Sequence, residues 1–355
     1  MKRLVITMLG LAALFGAAQA QSISKSEAKC LQTFLNQPAA RGGSNAEAIG
    51  MTGNNPAAAP GVKVEGGHVV EIDFSGKNLG GSLNLSGFPA LRKVNVSNNK
   101  IISLNLASNP MLTDVNAGRN RLANFSVTDC GRISRLSLNR NMLSEIDLGQ
   151  VPELKNLNIA KNSMVALDVS NAPALEYLNC MSNRLEELNV NGCSNLKTIY
   201  AGFNELTGVE LVALDRLENL NLTGNRIDKL YIQNLPSLYT LFVSDNHMTS
   251  LAINNCAALN DIYAPYNDLT GFELSDCNNV AFINLAWNDL TTLNLSSFYY
   301  LQRVDVANNQ LITLDVSFDP LLTYVNVTNN TMLTDLRTEG CDNLRQIVGE
   351  WDSFQ

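Results

Sequence analysis

The chain has 355 residues, 45% of them apolar and 16% charged, with a formal net charge of −8 and only two histidines. That acidic balance disfavours nucleic acid and anionic membrane surfaces as partners, since both need a basic face. Two histidines, His68 and His247, also leave little material for Ser-His-Asp or Cys-His catalysis or for a zinc site.

In chain order, the first element is a secretory signal. Lys2 and Arg3 precede an apolar run at 4–15, and Ala18-Gln19-Ala20 is a small-x-small site, so cleavage is expected after Ala20. The run is too short to span a bilayer. Cys30, the first cysteine, lies too far from it for a lipid anchor. No sorting domain or membrane tail follows the last repeat. The expected product is a soluble exported protein, periplasmic or secreted, in the latter case free to sit at a cell surface. Loss of Lys2 and Arg3 takes the formal charge from −8 to −10.

Residues 21–68 read as an N-terminal cap. Ser24 and Glu27 stand at capping-box spacing, and Ala28, Leu31, Phe34 and Leu35 give a helical stripe. The Pro-, Gly-, Ala- and Asn-rich stretch 37–61 reads as loop. Residues 61–70 predict a hairpin turning at Gly66-Gly67, leading into an atypical first repeat unit around Ile72 and Phe74.

From there the sequence repeats every 21 residues. Asn99, Asn120, Asn141, Asn162, Asn183, Asn204, Asn225, Asn246, Asn267, Asn288, Asn309 and Asn330 fall in register, with Lys77 at the same place in the first unit. Each unit reads L-x-x-L-x-L-x-x-N-x-L, as in Leu91, Val94, Val96, Asn99 and Ile101, which is the leucine-rich repeat pattern. The apolar position two after each Asn runs from Ile101 to Met332. Alternation before the Asn predicts a short strand with one apolar face, and a stack of such units predicts a parallel inner sheet over residues 69–343. Twelve rungs at about 4.8 Å give a sheet roughly 55–60 Å long. The second half of each unit also alternates, as in Leu104-Asn-Leu106 and Leu293-Asn-Leu295, and has no room for a helix. Short strands or 3-10 segments are expected on the convex side. The Asn should satisfy backbone groups buried at the turn.

Units such as Leu175-Glu-Tyr-Leu178-Asn-Cys180-Met-Ser-Asn183 resemble the 21-residue repeats of bacterial internalins, most of all those of internalin J, over about residues 69–347. Internalin J repeats carry a cysteine at the place of Cys180, whereas the other units here hold Val, Ala, Leu or Ile. The resemblance implies a bacterial surface or secreted protein that binds host or neighbouring molecules. The junction around Ile72-Asp-Phe74-Ser-Gly-Lys77-Asn-Leu79 resembles that of plant-type leucine-rich proteins without their paired cap cysteines.

Of the seven cysteines, Cys130, Cys193, Cys256, Cys277 and Cys341 share one repeat position, the last after an inserted residue in the unit from Leu322. That position reads as a small apolar filler in a buried corner. A Cys256–Cys277 disulfide is the alternative, because one rung sets their Cα atoms near a bridging distance. The insertion puts Leu336 where Asp335 would face the core, and Leu344, Ile347, Trp351 and Phe354 form an expected C-terminal cap over 344–355.

No catalytic constellation, cofactor motif or metal motif is legible, so a non-enzymatic binding role is expected. The outward strand position is usually Asn but becomes Tyr200, Phe242 and Tyr263 in the middle units, joined by Tyr177, Phe203, Tyr239, Tyr266, Phe282 and Trp287. Earlier units carry Arg119, Arg135, Arg140, Lys155 and Lys161 instead. Grouped aromatics mark interfaces, so the nine rings are the candidate ligand-binding set on the concave face. Another protein is the leading partner. A glycan stacked on the rings, or a purely structural envelope role, are the alternatives.

Overall fold

Three residues with an apolar one in the middle, such as Tyr177-Leu178-Asn179, form a strand that buries chiefly its middle side chain, and such a strand recurs rung after rung. The computed structural model describes residues 22–296 and 298–349. The signal stretch 1–20, and Trp351 and Phe354 of the expected C-terminal cap, lie outside the described residues.

A 15-stranded sheet runs the length of the molecule. Its first pair, β1 (Val62–Glu65) and β2 (His68–Asp73), is antiparallel. Gly66 and Gly67 make the turn at φ +57° and +79°, a left-handed pair that glycine enters most readily. Every later pair in that sheet is parallel, and most are in register one 21-residue unit apart, as Val94 with Val115 and Leu178 with Ile199. The second half of the repeats forms four smaller parallel sheets on the opposite side, in which Leu104, Leu106, Leu293 and Leu295 face inward. The result is a leucine-rich repeat arc of stacked strands. One apolar core runs its length, and no single rung could close it alone.

The Asn column works as the pattern predicts. In Asn225, Nδ2 donates to the carbonyls of Ala201 and Leu222 at 3.2 and 2.8 Å, while Oδ1 accepts from the Leu206 N–H at 3.1 Å. One amide thus satisfies three backbone groups on two rungs. The residue just before the ladder Asn is left-handed, with φ +57° to +59° at Arg119, Arg140, Lys161, Ser182, Phe203, Tyr266 and Trp287. Only Gly224 at this column has no Cβ among those rungs. The turn, rather than the residue, imposes that conformation, because the next side chain must point inward to bond.

The cap helix α1 (Lys25–Leu35) starts at the Ser24–Glu27 capping box and buries Leu31, Phe34 and Leu35. Ala28 is only half-buried, and Glu27 is buried instead, where it accepts from the Val69 N–H. Phe34 stacks on Phe74 with centroids 6.3 Å apart, joining the cap to the first rung. The stretch 37–61 is not all loop. It holds a short helix α2 (Asn45–Ala48) behind a second capping box, Ser44–Glu47, and a 3-10 turn at Pro56–Ala58. Buried Asn45 fastens α2 to the repeats through the Gly80 backbone. At the Asn column of the first unit, Lys77 gives its backbone N–H to Asn99 Oδ1.

At the far end, Leu336 pairs with Leu314 as the inserted residue requires. Met332 departs from its column. It is 56% exposed, because the insertion is absorbed at the turn and Leu333 packs against the core in its place. Leu344 is half-buried, but Ile347, in the inward column of the last strand, is 39% exposed.

Candidate binding face

The two polar positions of each strand give two columns on the concave face. Tyr177, Phe282 and Tyr324 occupy the first; Tyr200, Phe242 and Tyr263 the second. Register brings them together. Phe242 stacks on Tyr263 at 4.6 Å between centroids, and Tyr263 meets Phe282 at 4.9 Å, so three rings make one continuous patch. Tyr177 and Tyr200 form a separate edge-to-face pair at 5.9 Å. Such pairs lock ring orientation before any ligand arrives.

The patch has a charged border. Asp261 stands opposite Phe282 across the strand pair, and burial among its neighbours raises its carboxyl above the ordinary value. Burial, and next the Asp261 charge, raise the Tyr263 hydroxyl, while Arg303 opposes them. Arg303 lies beside Phe282 and over the Tyr324 ring at 4.8 Å from its centroid. Asp261, Arg303 and Tyr324 were not singled out from the sequence, although Tyr324 shares the repeat position of Tyr177 and Phe282. The N-terminal third of the same face is a shallow hollow of about 520 Å³ bordered by Asp73, Asn95, Asp114, Arg135 and Tyr177.

Four of the nine expected rings lie elsewhere. Phe203, Tyr266 and Trp287 are at the left-handed position of the loop that leaves the sheet, where they are 53%, 56% and 51% exposed. Tyr266 and Trp287 stack at 5.6 Å there. Tyr239 sits before the strand Thr240–Phe242, on the loop that enters it. Strand alternation stops once the three-residue strand ends, so counting by twos placed these rings on the wrong surface. The cations are divided in the same way. Arg119, Arg140 and Lys161 belong to the leaving loop, Lys155 to the entering loop beside Glu176, and only Arg135 stands on the concave face, paired with Asp114.

The cysteines are free thiols, so the Cys256–Cys277 disulfide is not formed. The two share a hydrogen bond that pulls Cys256 below the ordinary thiol value and, with burial, pushes Cys277 above it. Burial pushes Cys180 up to about 12 and Cys193 up to about 11, which suits packing rather than nucleophilic chemistry. The shared column is a second, sparser ladder. Cys130, Cys193 and Cys341 donate Sγ–H to the carbonyls of Leu106, Val169 and Val316 on the preceding rung, at 3.0, 3.2 and 2.9 Å. Asn109 does the same to Leu85 at 3.0 Å and accepts from the Phe88 N–H at 2.7 Å. Asp319 occupies this column too. It is fully buried and accepts from the Phe298 N–H at 2.6 Å, but its Oδ2 has no partner among the described residues. Burial raises its pKa to about 7.

Among the described residues no group of His, Cys, Asp or Glu could hold a metal ion, and no helix is long and apolar enough to cross a membrane.

A leucine-rich repeat solenoid with an aromatic patch on its concave sheet is the class this geometry defines. Solved structures agree on the fold. The functional domain of InlJ from Listeria monocytogenes, which includes a cysteine ladder, superposes with a TM-score of 0.50 at 22% identity, covering 85% of this chain and 59% of that one. YopM, a leucine-rich effector protein from Yersinia pestis, gives 0.54 at 22% identity over 76% of this chain and 88% of that one. The internalin InlF from Listeria monocytogenes gives 0.52 at 18% identity, covering 74% of this chain and 82% of that one. The chain thus spans just under three fifths of the InlJ domain's length. No protein-family model and no curated protein matches the sequence.

Proposed function

We propose that the protein is an exported, non-enzymatic recognition module that binds another protein on the concave face between Tyr177 and Tyr324. The observation that carries this reading is the Phe242–Tyr263–Phe282 stack. It presents continuous apolar surface, with Phe242 and Tyr263 standing where most rungs place Asn, beside one raised carboxylate and one guanidinium. Aromatic clusters with a polar border are the usual centre of protein interfaces. A surface or adhesive role follows from the internalin-like repeats and the expected signal peptide. The second reading, a glycan, is favoured by Asn221 and Asn284, whose amides lie beside the rings of Phe242 and Tyr263 and could bond sugar hydroxyls.

The test compares the native chain with the Tyr200→Ala/Phe242→Ala/Tyr263→Ala/Phe282→Ala variant, both immobilised and exposed to bacterial-envelope and host-cell extracts. A protein retained by the native chain and lost by the variant is the expected result. Retention unchanged in a variant of near-native melting temperature would overturn the placement. Release by free oligosaccharide would transfer the site to the glycan reading.

A further inference from the structure

The loops that leave the sheet form a flank of their own, separate from the concave face. Its side chains come from the left-handed residue just before each ladder Asn and from the residue just after it. Counting the rung of Asn99 as the first, rungs two to four carry Arg119 with Arg121, Arg140 and Lys161. Arg119, Arg140 and Lys161 are exposed, and none makes an ion pair among the described residues. Rungs eight to ten carry the opposite set: Asp245, Asp268 on the rung of Tyr266, and Asp289 on the rung of Trp287, with Tyr266 and Trp287 stacked. Among the described residues Asp245 makes no ion pair. Asp268 is 3.9 Å from His247, and Asp289 accepts a hydrogen bond from Gln310 at 2.7 Å. Midway, on rung six, stands Phe203, its ring lying over Gly224 of the next rung, where a Cβ would come within 2.8 Å of it.

The pattern inverts about its own centre. Rungs two, three and four are cationic, rungs ten, nine and eight anionic and aromatic, and rung six holds the exposed ring. We infer that this flank is an isologous interface with a second copy of the chain, packed antiparallel about a two-fold axis at Phe203. A two-fold operation sets rung n of one copy against rung 12 − n of the other. Arg119 and Arg121 then face Trp287 and Asp289. Arg140 faces Tyr266 and Asp268, Lys161 faces Asp245, and the two Phe203 rings meet on the axis. Each contact off the axis is made twice. Guanidinium over indole or phenol adds to the charge pairing. On rung seven Arg226 is already held by Glu205 at 2.9 Å, so it brings no unpaired charge to face Arg184. The strip from rung two to rung ten is about 40 Å long. A parallel pairing would oppose like charges at rungs two to four and again at rungs eight to ten. A linear polyanion would use the cations but would meet repulsion from the three carboxylates, and it would leave the Tyr266–Trp287 stack without a role. The concave face stays open in both copies, so this inference is independent of the ligand proposed for that face.

The test is the oligomeric state of the full mature chain by sedimentation equilibrium. The native protein is expected to double its mass at low ionic strength and to weaken toward monomer at about 0.5 M salt. Arg119→Glu/Arg140→Glu/Lys161→Glu and Asp245→Lys/Asp268→Lys/Asp289→Lys should each be monomeric with near-native melting curves, since the substituted side chains lie at the surface. Mixed in equal amounts, the two variants should regain the doubled mass. A native chain that stays monomeric throughout, or variants that dimerise alone, or a mixture that does not associate, would overturn the inference. So would a monomeric native chain that an anionic polysaccharide column retains through Arg119, Arg140 and Lys161.

Discussion

Asp319 offers a direct test of the second ladder. Asn109, at the same repeat position, satisfies the Phe88 N–H with its oxygen and the carbonyls of Leu85 and Leu106 with its NH2. Asp319 reproduces only the first half of that arrangement, through Phe298. A proton on its unpartnered Oδ2 would restore the second half, toward Leu295 and Val316. Nearby, Asp315 raises the Asp319 pKa further, while Asp315 itself is held below the usual range, against its own partial burial, first by hydrogen bonds from the Ser317 hydroxyl and N–H and then by Arg337 at 3.5 Å. In the folded chain Asp319 keeps its proton to about pH 7, whereas its ordinary value is 3.8. Across that window the unfolded chain binds fewer protons than the folded one, so stability falls as pH rises from about 4 to about 7 and then levels off. At 1.36 kcal/mol per pH unit the loss is about 4 kcal/mol at most. Asp319→Asn supplies the missing donor at every pH. The variant should match the native chain near pH 4 and exceed it by about 2–4 kcal/mol at pH 8. Urea unfolding at several pH values reads the gap, and hydrogen exchange should place it in the rungs around 298–341. A gap that is the same at every pH would mean that Asn merely packs better, and no gap would mean that Asp319 is satisfied without its proton.

Other expectations are as concrete. Asn225→Ala should cost about 1–3 kcal/mol by leaving buried backbone groups of rungs six and seven unpaired, read by urea melts. Ser24→Ala and Ser44→Ala should each cost about 1 kcal/mol, and in each case protease cutting should rise within residues 22–61 before the repeats are touched. Ser182→Gly should be neutral or slightly stabilising, whereas Ser182→Val should lose about 1–2 kcal/mol, because a β-branched residue tolerates the left-handed turn poorly. Equal melting temperatures for those two variants would show that the turn is not held at φ +57° in solution.

The repeat was legible because a ladder Asn, an inward Leu and a middle strand residue each have one job at every rung, and the same job selects the same residue. The left-handed position was not legible for the opposite reason. It accepts Arg, Lys, Ser, Phe, Tyr and Trp alike, since the turn dictates φ and the side chain merely points away. Phe203, Tyr266 and Trp287 were therefore grouped with the concave rings, although Tyr200, Phe242 and Tyr263 were placed correctly by strand alternation. Ser44 and Glu47 carried a capping-box signal that the surrounding Gly and Pro obscured. Asp319 was hidden in a column read as apolar filler. The single clue was that Asn109 shares it, and a polar pair among cysteines and leucines is what a hydrogen-bonding rather than a filling role selects.

Every ladder Asn reaches backward. Asn99 closes on Phe74, Lys77 and Leu79, Asn120 on Val96 and Ile101, and the direction stays the same to Asn330, which closes on Val306 and Leu311. Each Asn also bonds a carbonyl of its own rung, but the N–H that follows the turn waits for the Asn about 20 residues downstream. A chain emerging from its amino end therefore assembles like a zip with one open tooth. The helix α1 and the β1–β2 hairpin supply the first fixed surface, and each new unit locks its predecessor while remaining unlocked itself. Truncation from the carboxyl end should consequently loosen one rung at a time, and truncation from the amino end should remove the surface on which all of them begin.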